Sequence, residues 1–193
     1  MGSGTATGTG ATTRTSTTAG ISAATAWSVL GSPVGELLLT TDGAALTAVF
    51  FEGHRDGGDP RAAAARGPNG REGRDDEHPV LAAARLQLTE YFARKRRVFD
   101  VPLAPEGTAF QRRVWTALLD IPYGETTSYG EIARRLGLLP GASRAVGLAN
   151  GANPISIIIP CHRVIGADGS LTGYGGGLGR KRFLLDLERD LLF

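Results

Sequence analysis

The sequence predicts an α+β protein, in which an N-terminal α/β domain over residues 25–103 precedes a mostly helical domain over residues 104–193. Short apolar or alternating runs, which are typical of strands, fill the first part of the chain. Helical periodicities that begin at capping residues fill the second part. An Ala-Pro-Glu-Gly segment separates the two parts, and 193 residues with 41% hydrophobic content suffice for two small domains.

Three strands are expected near the start of the N-terminal domain. The runs AWSVL, GELLLTT and ALTAVFF are separated by Gly-Ser-Pro and Asp-Gly turn signals, which favour a small antiparallel sheet. Residues 1–24 are mainly Gly, Thr, Ala and Ser and predict a disordered tail, because they have little apolar surface to bury. Residues 53–77 are polar and Gly-rich and predict a mobile surface loop.

A helix and a further strand complete the predicted N-terminal domain. Apolar side chains recur near the helical period between residues 78 and 97, which predicts a helix there. The run VFDVPL, residues 98–103, predicts a strand.

The C-terminal domain contains a candidate helix-turn-helix. Thr108 is suited to cap a first helix that ends before Pro122. In SYGEIARRLG, Ser128 and Glu131 have the spacing of a capping box and Gly137 suits the helix end. A short turn and the run SRAVGLANGAN follow, which predicts the helix pair of a DNA-reading unit.

The second helix of this pair is rich in small residues, at Ala145, Gly147, Ala149 and Gly151. Glycine costs about 0.5–1 kcal/mol relative to alanine inside a helix, so its presence calls for a reason. Either the helix backbone approaches a grooved partner that Arg144 enters, or it packs tightly against the first helix. Residues 112–163 carry six arginines and three acidic residues, a net charge of +3. This charge could help to bind a polyanion such as DNA, but an ordinary solvated surface explains it equally well.

Cys161 is the only cysteine of the chain and lies in IPCHRV. A lone cysteine forms no internal disulfide and no Cys/His cluster has zinc-site spacing, so we expect a reducing, cytoplasmic setting and no bound metal. No run approaches the roughly 18–20 apolar residues of a membrane span, so we expect none. Pro160 fixes the chain direction before the thiol, and His162 after it is a candidate base for a nucleophile. Adjacent side chains of an extended strand point apart, so a contact between the two requires a turn or a bridging water. The acids that could orient the histidine are Asp186, Glu188 and Asp190.

Several motifs resemble those of the O6-alkylguanine-DNA alkyltransferases. These motifs are FQRRVW, IPYGETTSYGEIA, SRAVGLANGANP, IPCHRV and GYGGGLGRKRFLLDLE. The resemblance is specific from Gly107 to Glu188, whereas over residues 25–103 it is one of general layout.

The resemblance implies an N-terminal domain of ribonuclease H-like architecture and a C-terminal domain that enters the minor groove. The damaged guanine is rotated out of the stack, and its alkyl group passes irreversibly to Cys161, so that each molecule acts once. The implied partner is double-stranded DNA containing O6-alkylguanine, bound by a monomer without a cofactor. Cooperative binding along DNA stays open.

The resemblance also assigns roles to individual residues. Arg144 fills the space that the rotated base leaves, and Tyr129 aids the rotation and the protonation of the departing guanine. Asn153 joins the recognition helix to the active-site segment, and Tyr174 packs beside the rotated base. Glu188 orients His162, which reaches Cys161 through water. The implied DNA-binding residues are Arg144, Ala145, Gly147, Ala149, Asn150 and Gly151, and Pro160 joins Tyr174 in the substrate pocket.

The sequence departs from the family pattern at a few positions. Leu148 and Ala152 stand where other members carry glycine or arginine, so the fit to the groove is open. Some relatives bind zinc in the N-terminal domain through cysteine and histidine, but this chain has no cysteine there and we expect no such site.

Three other functions compete with repair. A module that only binds the lesion has no need of a cysteine, so the presence of Cys161 argues against this function. A cysteine hydrolase or transferase for a small molecule would turn over without DNA and tolerate loss of Arg144. A helix-turn-helix transcription regulator would have little use for a Pro-Cys-His-Arg segment with a distant glutamate.

Overall fold

The computed structural model describes Met1, residues 26–52 and residues 73–189. The tail predicted over residues 1–24 and most of the loop predicted over residues 53–77 lie outside these residues. The described end of that loop, residues 73–77, is held by strand-like hydrogen bonds and not free. The amide of Trp27 donates to the carbonyl of Gly73 at 2.7 Å, and the amide of Asp75 donates to the carbonyl of Trp27 at 2.9 Å.

The N-terminal domain contains the three predicted strands as an antiparallel meander. These strands are β1 (Ala26–Ser32), β2 (Gly35–Thr41) and β3 (Leu46–Phe51), in the order β1-β2-β3. Gly35, in the turn that joins β1 to β2, has a φ of 96°, which explains a glycine at this position. The sheet prediction is therefore confirmed.

One helix covers this sheet. Helix α1 (Pro79–Phe92) begins after His78, whose ring Nδ1 accepts from the amide of Val80, and it buries a stripe of apolar residues against the strands. It ends five residues earlier than predicted, and Arg94 just beyond it has a φ of 59°.

The strand predicted over residues 98–103 is wrong. Val98 is 74% exposed, and only Leu103 pairs, through an isolated bridge to Leu46. The run therefore pairs with the sheet at one residue, although the Val101 side chain within it is buried.

The C-terminal part is mostly helical, as predicted. Helix α2 (Ala109–Leu119) starts with a full capping box, in which Thr108 and Gln111 each bond the backbone of the other. Helix α3 (Tyr129–Arg135) is capped by Ser128 alone, because Glu131 pairs with arginines of the same helix.

A helix pair and a final helix complete the fold. Gly137, with a φ of 66°, closes α3, and a short turn leads to α4 (Ser143–Gly151), which we call the recognition helix. The short strands β4 (Thr127–Ser128) and β5 (Val164–Ile165) pair in parallel, and α5 (Leu178–Glu188) packs beside the turn that holds Cys161. Within the described residues, no helix has the length and apolar character that crossing a membrane requires.

The sheet and the helices share one core. Val49 of β3 pairs with the segment that follows the recognition helix: its amide donates to the carbonyl of Pro154 at 2.9 Å and its carbonyl accepts from Ser156 at 3.2 Å. Leu46, Val49 and Phe51 are buried in the same apolar cluster as Val114 and Ile155. The N-terminal sheet thus supports the chain segment that leads to Cys161.

Candidate active site and recognition helix

The β-branched run before Cys161 forms a tight turn. Ile157 has a φ of 72°, which is a strained conformation for a β-branched residue, and Ser156 bridges to Ile159 across the turn. Cys161–Arg163 then form one turn of 3₁₀ helix, with the buried Pro160 in front of it. Cys161 and His162 therefore lie in a turn, which removes the objection that neighbouring strand residues point apart.

The Cys161 thiol is buried, with 3% of the residue exposed. The Asn153 side chain Nδ2 donates to Sγ of Cys161 at 3.0 Å and to the carbonyl of Ile159 at 2.9 Å. Burial raises the pKa of the Cys161 thiol, although Asn153 and the charge of Lys181 act in the opposite direction. The resting thiol is therefore protonated at neutral pH, and its reaction as a nucleophile requires a base.

Glu188 is the acid that pairs with His162. Its Oε1 lies 2.8 Å from Nε2 of His162, and Arg163 donates to both carboxylate oxygens, at 2.7 Å from Nε and 2.9 Å from Nη2. Of the other two candidates, Asp186 is exposed and pairs with Arg189 at 3.6 Å, and Asp190 lies outside the described residues.

The charge state of Glu188 determines the tautomer of His162. Burial by itself would raise the pKa of Glu188, but the hydrogen bonds and charges of His162 and Arg163 outweigh it and hold that pKa below its usual value. An ionised carboxylate only accepts hydrogen bonds, so Nε2 of His162 carries the proton. Burial lowers the pKa of His162, so the ring is neutral. Its Nδ1 is buried, has no hydrogen-bond partner among the described residues and retains its lone pair, as a general base requires.

Lys181 and Tyr129 lie on the other side of the thiol turn. The buried ammonium of Lys181 donates to the carbonyls of Val164 and Thr172, at 2.6 Å and 2.7 Å, and to the Tyr129 hydroxyl at 3.4 Å. Burial lowers the pKa of Lys181 to about 8. Burial raises the pKa of Tyr129, whose hydroxyl donates to the carbonyl of Thr172 at 2.8 Å. Tyr129 therefore holds its proton near a positive charge.

Tyr174 is held against the N-terminal domain. Its ring meets the ring of Phe51 edge to face, with centroids 5.9 Å apart, and its buried hydroxyl has no hydrogen-bond partner in the described part of the chain. A Cβ at Gly176 would lie 2.6 Å from the Phe51 ring, so the loop at this point has room for glycine only.

The recognition helix exposes one of its faces. Arg144, Ala145 and Leu148 are exposed, Leu148 to 71%. A Cβ added at Gly151 would meet no atom within 4 Å, and one at Gly147 would make only an ordinary contact of 3.7 Å with the Tyr129 ring. Packing within the described part of the protein therefore does not require glycine at either position.

Two residues assigned to the DNA-binding face lie inside the protein. Ala149 is buried and its carbonyl accepts from the Trp115 indole at 2.8 Å. Asn150 is also buried and its Nδ2 donates to the carbonyl of Cys161 at 3.2 Å. Both face the core side of the helix, so Asn150 supports the thiol turn and is not available to DNA.

Family models match both halves of the chain. The ribonuclease-like domain of 6-O-methylguanine DNA methyltransferase matches residues 26–105, and the DNA binding domain of the same family matches residues 109–190. A methylated-DNA--protein-cysteine methyltransferase of Haemophilus influenzae is 49% identical over 159 residues, which cover 82% of this chain and 83% of that protein. The chain belongs to the 6-O-methylguanine DNA methyltransferase family.

Further methyltransferases of this family, from Mycobacterium tuberculosis, are similar to this chain. One is 68% identical over 104 residues, a match that spans 54% of this chain and 62% of the relative's length. The crystal structure of the M. tuberculosis O6-methylguanine methyltransferase has a TM-score of 0.73 at 50% identity and covers 85% of this chain and 92% of that one. A structure of M. tuberculosis OGT in complex with DNA has a TM-score of 0.71 at 50% identity, with 84% and 92% covered.

The site of this methyltransferase family member includes three residues to which the sequence assigned no role. They are Arg163 and Tyr91, which bond Glu188, and Lys181, which bonds Tyr129. One signal was present in the sequence. Lys181 and Glu188 stand at i and i+7 on α5, on the same buried stripe as Leu184 and Leu185, where charged residues need partners.

Proposed function

We propose that this protein repairs O6-alkylguanine in double-stranded DNA by transferring the alkyl group irreversibly to Cys161. The observation that carries the proposal is the geometry around the thiol in a member of this family. A buried Cys161 accepts from Asn153, and a neutral His162 with a free Nδ1 lone pair is held by an ionised Glu188.

The reaction begins when His162 removes the thiol proton. Nδ1 is the acceptor, and we propose a bridging water between it and Sγ. The thiolate electron pair forms a bond to the alkyl carbon as the bond from that carbon to O6 breaks. The electron pair of the broken bond stays on guanine, which takes up a proton.

Tyr129 is the proposed source of the proton for the departing guanine. Its hydroxyl is protonated in the resting site, and the ammonium of Lys181 lies 3.4 Å away, where it stabilises negative charge that develops on the phenol. The thioether formed at Cys161 has no easy hydrolytic exit, so we expect one turnover per molecule.

The burial of the thiol supports the proposal that the base rotates out of the duplex. Because Cys161 is 3% exposed, a guanine stacked in a duplex does not reach it. We propose that the recognition helix lies in the minor groove, where Ala145, Gly147 and Gly151 permit close approach and Arg144 enters the stack. Tyr174 and Pro160 would then line the pocket for the rotated base.

The exposed Leu148 is the departure with the greatest expected effect on this contact. An apolar side chain on a groove-facing helix is suited to contact sugars or wedge between base steps. We propose that the protein acts as a monomer in the cytoplasm, where its single free cysteine stays reduced.

Mass spectrometry tests the proposed function directly. The protein is incubated with a duplex that contains one O6-methylguanine, beside a Cys161→Ala control, and both intact protein and peptides are measured. We expect one methyl group on the Cys161 peptide, restored guanine and no second turnover.

The competing functions give different results in the same experiment. An unmodified protein that still binds the lesion would make it a recognition module. An unmodified protein indifferent to DNA would contradict the proposal and favour a cysteine hydrolase, which small ester and amide substrates would then reveal by repeated turnover.

A further inference from the structure

A tyrosine of the N-terminal domain bonds the acid of the active site. Tyr91 belongs to the last turn of α1, is fully buried and donates its hydroxyl to Oε1 of Glu188 at 2.7 Å, across 97 positions of sequence. This is the same oxygen that lies 2.8 Å from Nε2 of His162. The N-terminal domain therefore reaches the catalytic histidine through one intervening carboxylate.

The hydroxyl of Tyr91 is fixed by its surroundings. Its ring contacts the rings of Phe92, Phe99 and Tyr123, with centroids 5.4, 5.5 and 6.2 Å apart. Burial and the neighbouring Glu188 charge raise the pKa of Tyr91, so the phenol keeps its proton and acts only as a donor to the carboxylate. Because the ring has little freedom, the direction of this hydrogen bond is set by α1.

Tyr91 and Arg163 hold Glu188 from different directions. Arg163 donates to both carboxylate oxygens of Glu188 and also to the carbonyl of Ile121 at 2.6 Å. Arg163 and these two partners all lie in the C-terminal domain. The amide of Gly124 donates to Oε2 at 3.2 Å. Tyr91 is the donor that shares Oε1 with His162 from the side of α1, and a charge-assisted bond of this kind orients its acceptor.

We propose that Tyr91 is a positioning residue for alkyl transfer, which fixes Glu188 so that His162 keeps its proton on Nε2 and its lone pair on Nδ1. The proposal rests on the proposed function for the effect on repair. Tyr91 touches neither the substrate nor the thiol and acts through Glu188.

The test compares Tyr91→Phe with Tyr123→Phe. Both substitutions remove one hydroxyl from the same aromatic group, but the hydroxyl of Tyr123 donates to the backbone carbonyl of Leu187 at 3.3 Å, whereas that of Tyr91 donates to Glu188. The single-turnover rate of methyl transfer from an O6-methylguanine duplex is measured between pH 5 and pH 9. We expect Tyr91→Phe to lower the rate about ten-fold, the change that corresponds to ~1.4 kcal/mol, and Tyr123→Phe to stay within about two-fold of the parent.

The acidic side of the pH profile separates positioning from a structural role. Without the Tyr91 hydroxyl, Glu188 carries more uncompensated charge and stabilises protonated His162 more strongly. We therefore expect the acidic limb of the profile to move to higher pH in Tyr91→Phe and to stay in place in Tyr123→Phe. A slower Tyr91→Phe protein with an unmoved limb would mean a structural role only and would overturn the proposal.

A second measurement does not depend on repair. The chain has three histidines, His54, His78 and His162, so nitrogen-15 labelling of histidine gives spectra in which His162 is assignable by substitution of the other two. The parent should show the tautomer protonated on Nε2, and Tyr91→Phe should show a higher titration midpoint for His162.

The outcomes keep the two proposals apart. If the parent transfers the methyl group and Tyr91→Phe matches it in rate, profile and histidine spectrum, the role of Tyr91 is refuted and the repair function stands. If the parent transfers nothing but the spectra still differ, the repair function fails while the hold of Tyr91 on His162 is retained.

Discussion

The recognition helix and the cluster around Glu188 differ in exposure: the helix presents side chains at the surface, whereas the side chains around Glu188 are buried and bond one another. The helix exposes Arg144 and Leu148 and carries Gly151 where the protein itself leaves open space. Around Glu188 the buried charges are paired, and His162, Arg163 and Tyr91 all bond the carboxylate. One region presents exposed side chains, for which we propose a DNA partner, and the other holds buried, paired side chains. Substitutions in the first should therefore affect binding, and substitutions in the second should affect folding.

Removal of a charge should show this contrast most strongly. Arg163→Ala leaves Glu188 buried without its bidentate partner, so we expect the free energy of unfolding to fall by about 3–5 kcal/mol. Urea unfolding monitored by tryptophan fluorescence measures this loss.

Arg144→Ala is the matched control in the other region. Its side chain is exposed, so stability should change by less than about 0.5 kcal/mol. Affinity for duplex DNA should fall instead. Equal loss of stability in the two variants would contradict the division between the regions.

The pH dependence of stability should reveal the burial of Lys181. Its pKa in the folded protein is about 8, below the value of about 10.4 expected in the unfolded chain. Between these values the unfolded chain binds the proton and the folded protein does not, so the free energy of unfolding contributed by this group rises with pH. The slope is at most ~1.4 kcal/mol per pH unit.

The measurement compares urea unfolding of the parent and Lys181→Met from pH 7 to pH 10.5. Subtraction of the two curves removes other titrating groups, and the difference should rise across the window. A flat difference would mean that Lys181 keeps its ordinary pKa in the fold.

Two glycine-to-alanine substitutions should change the free energy of unfolding by small amounts and in opposite directions. A Cβ at Gly107 would lie 2.7 Å from Cζ3 of the buried Trp115 ring, so Gly107→Ala should cost about 1–3 kcal/mol of stability. The Cβ of Gly151→Ala would meet no described atom, and alanine favours the helix that ends at this residue, so the substitution should add stability, by at most about 0.5–1 kcal/mol.

Gly151→Ala should at the same time weaken binding to duplex DNA, because the added methyl group stands on the face that we propose approaches the groove. Thermal unfolding and a DNA titration on the same sample check both signs. A gain in stability with unchanged affinity would show that Gly151 does not face the DNA.

Local signals predicted much of the fold. The three strands, the cap at Thr108 and the helix from Ser128 to Gly137 follow from alternation, capping residues and glycine, all of which act within a few positions. The run over residues 98–103 failed because a strand needs a partner along its length, and the sheet offers it only the contact at Leu103.

The site was predicted only in part, because sequence patterns report on residues that are close together in the chain. Cys161 and His162 stand together in the sequence, and the family resemblance selected Glu188. The roles of Tyr91 and Lys181 depend on partners 97 and 52 positions away, which no local pattern specifies. Asn150 was assigned to the DNA side because a short helix of small residues does not show in sequence which of its faces is covered.

The pairing of Val49 with Pro154 and Ser156 has a practical consequence for anyone who wishes to shorten this protein. The bonds run from backbone to backbone, so the amino acids of the sheet can be exchanged widely while the junction persists. Deletion of the sheet is a different matter. A fragment that starts at the linker would lack Val49, which pairs with the segment that leads to Cys161. The sheet is therefore part of the support of that segment and not a removable accessory.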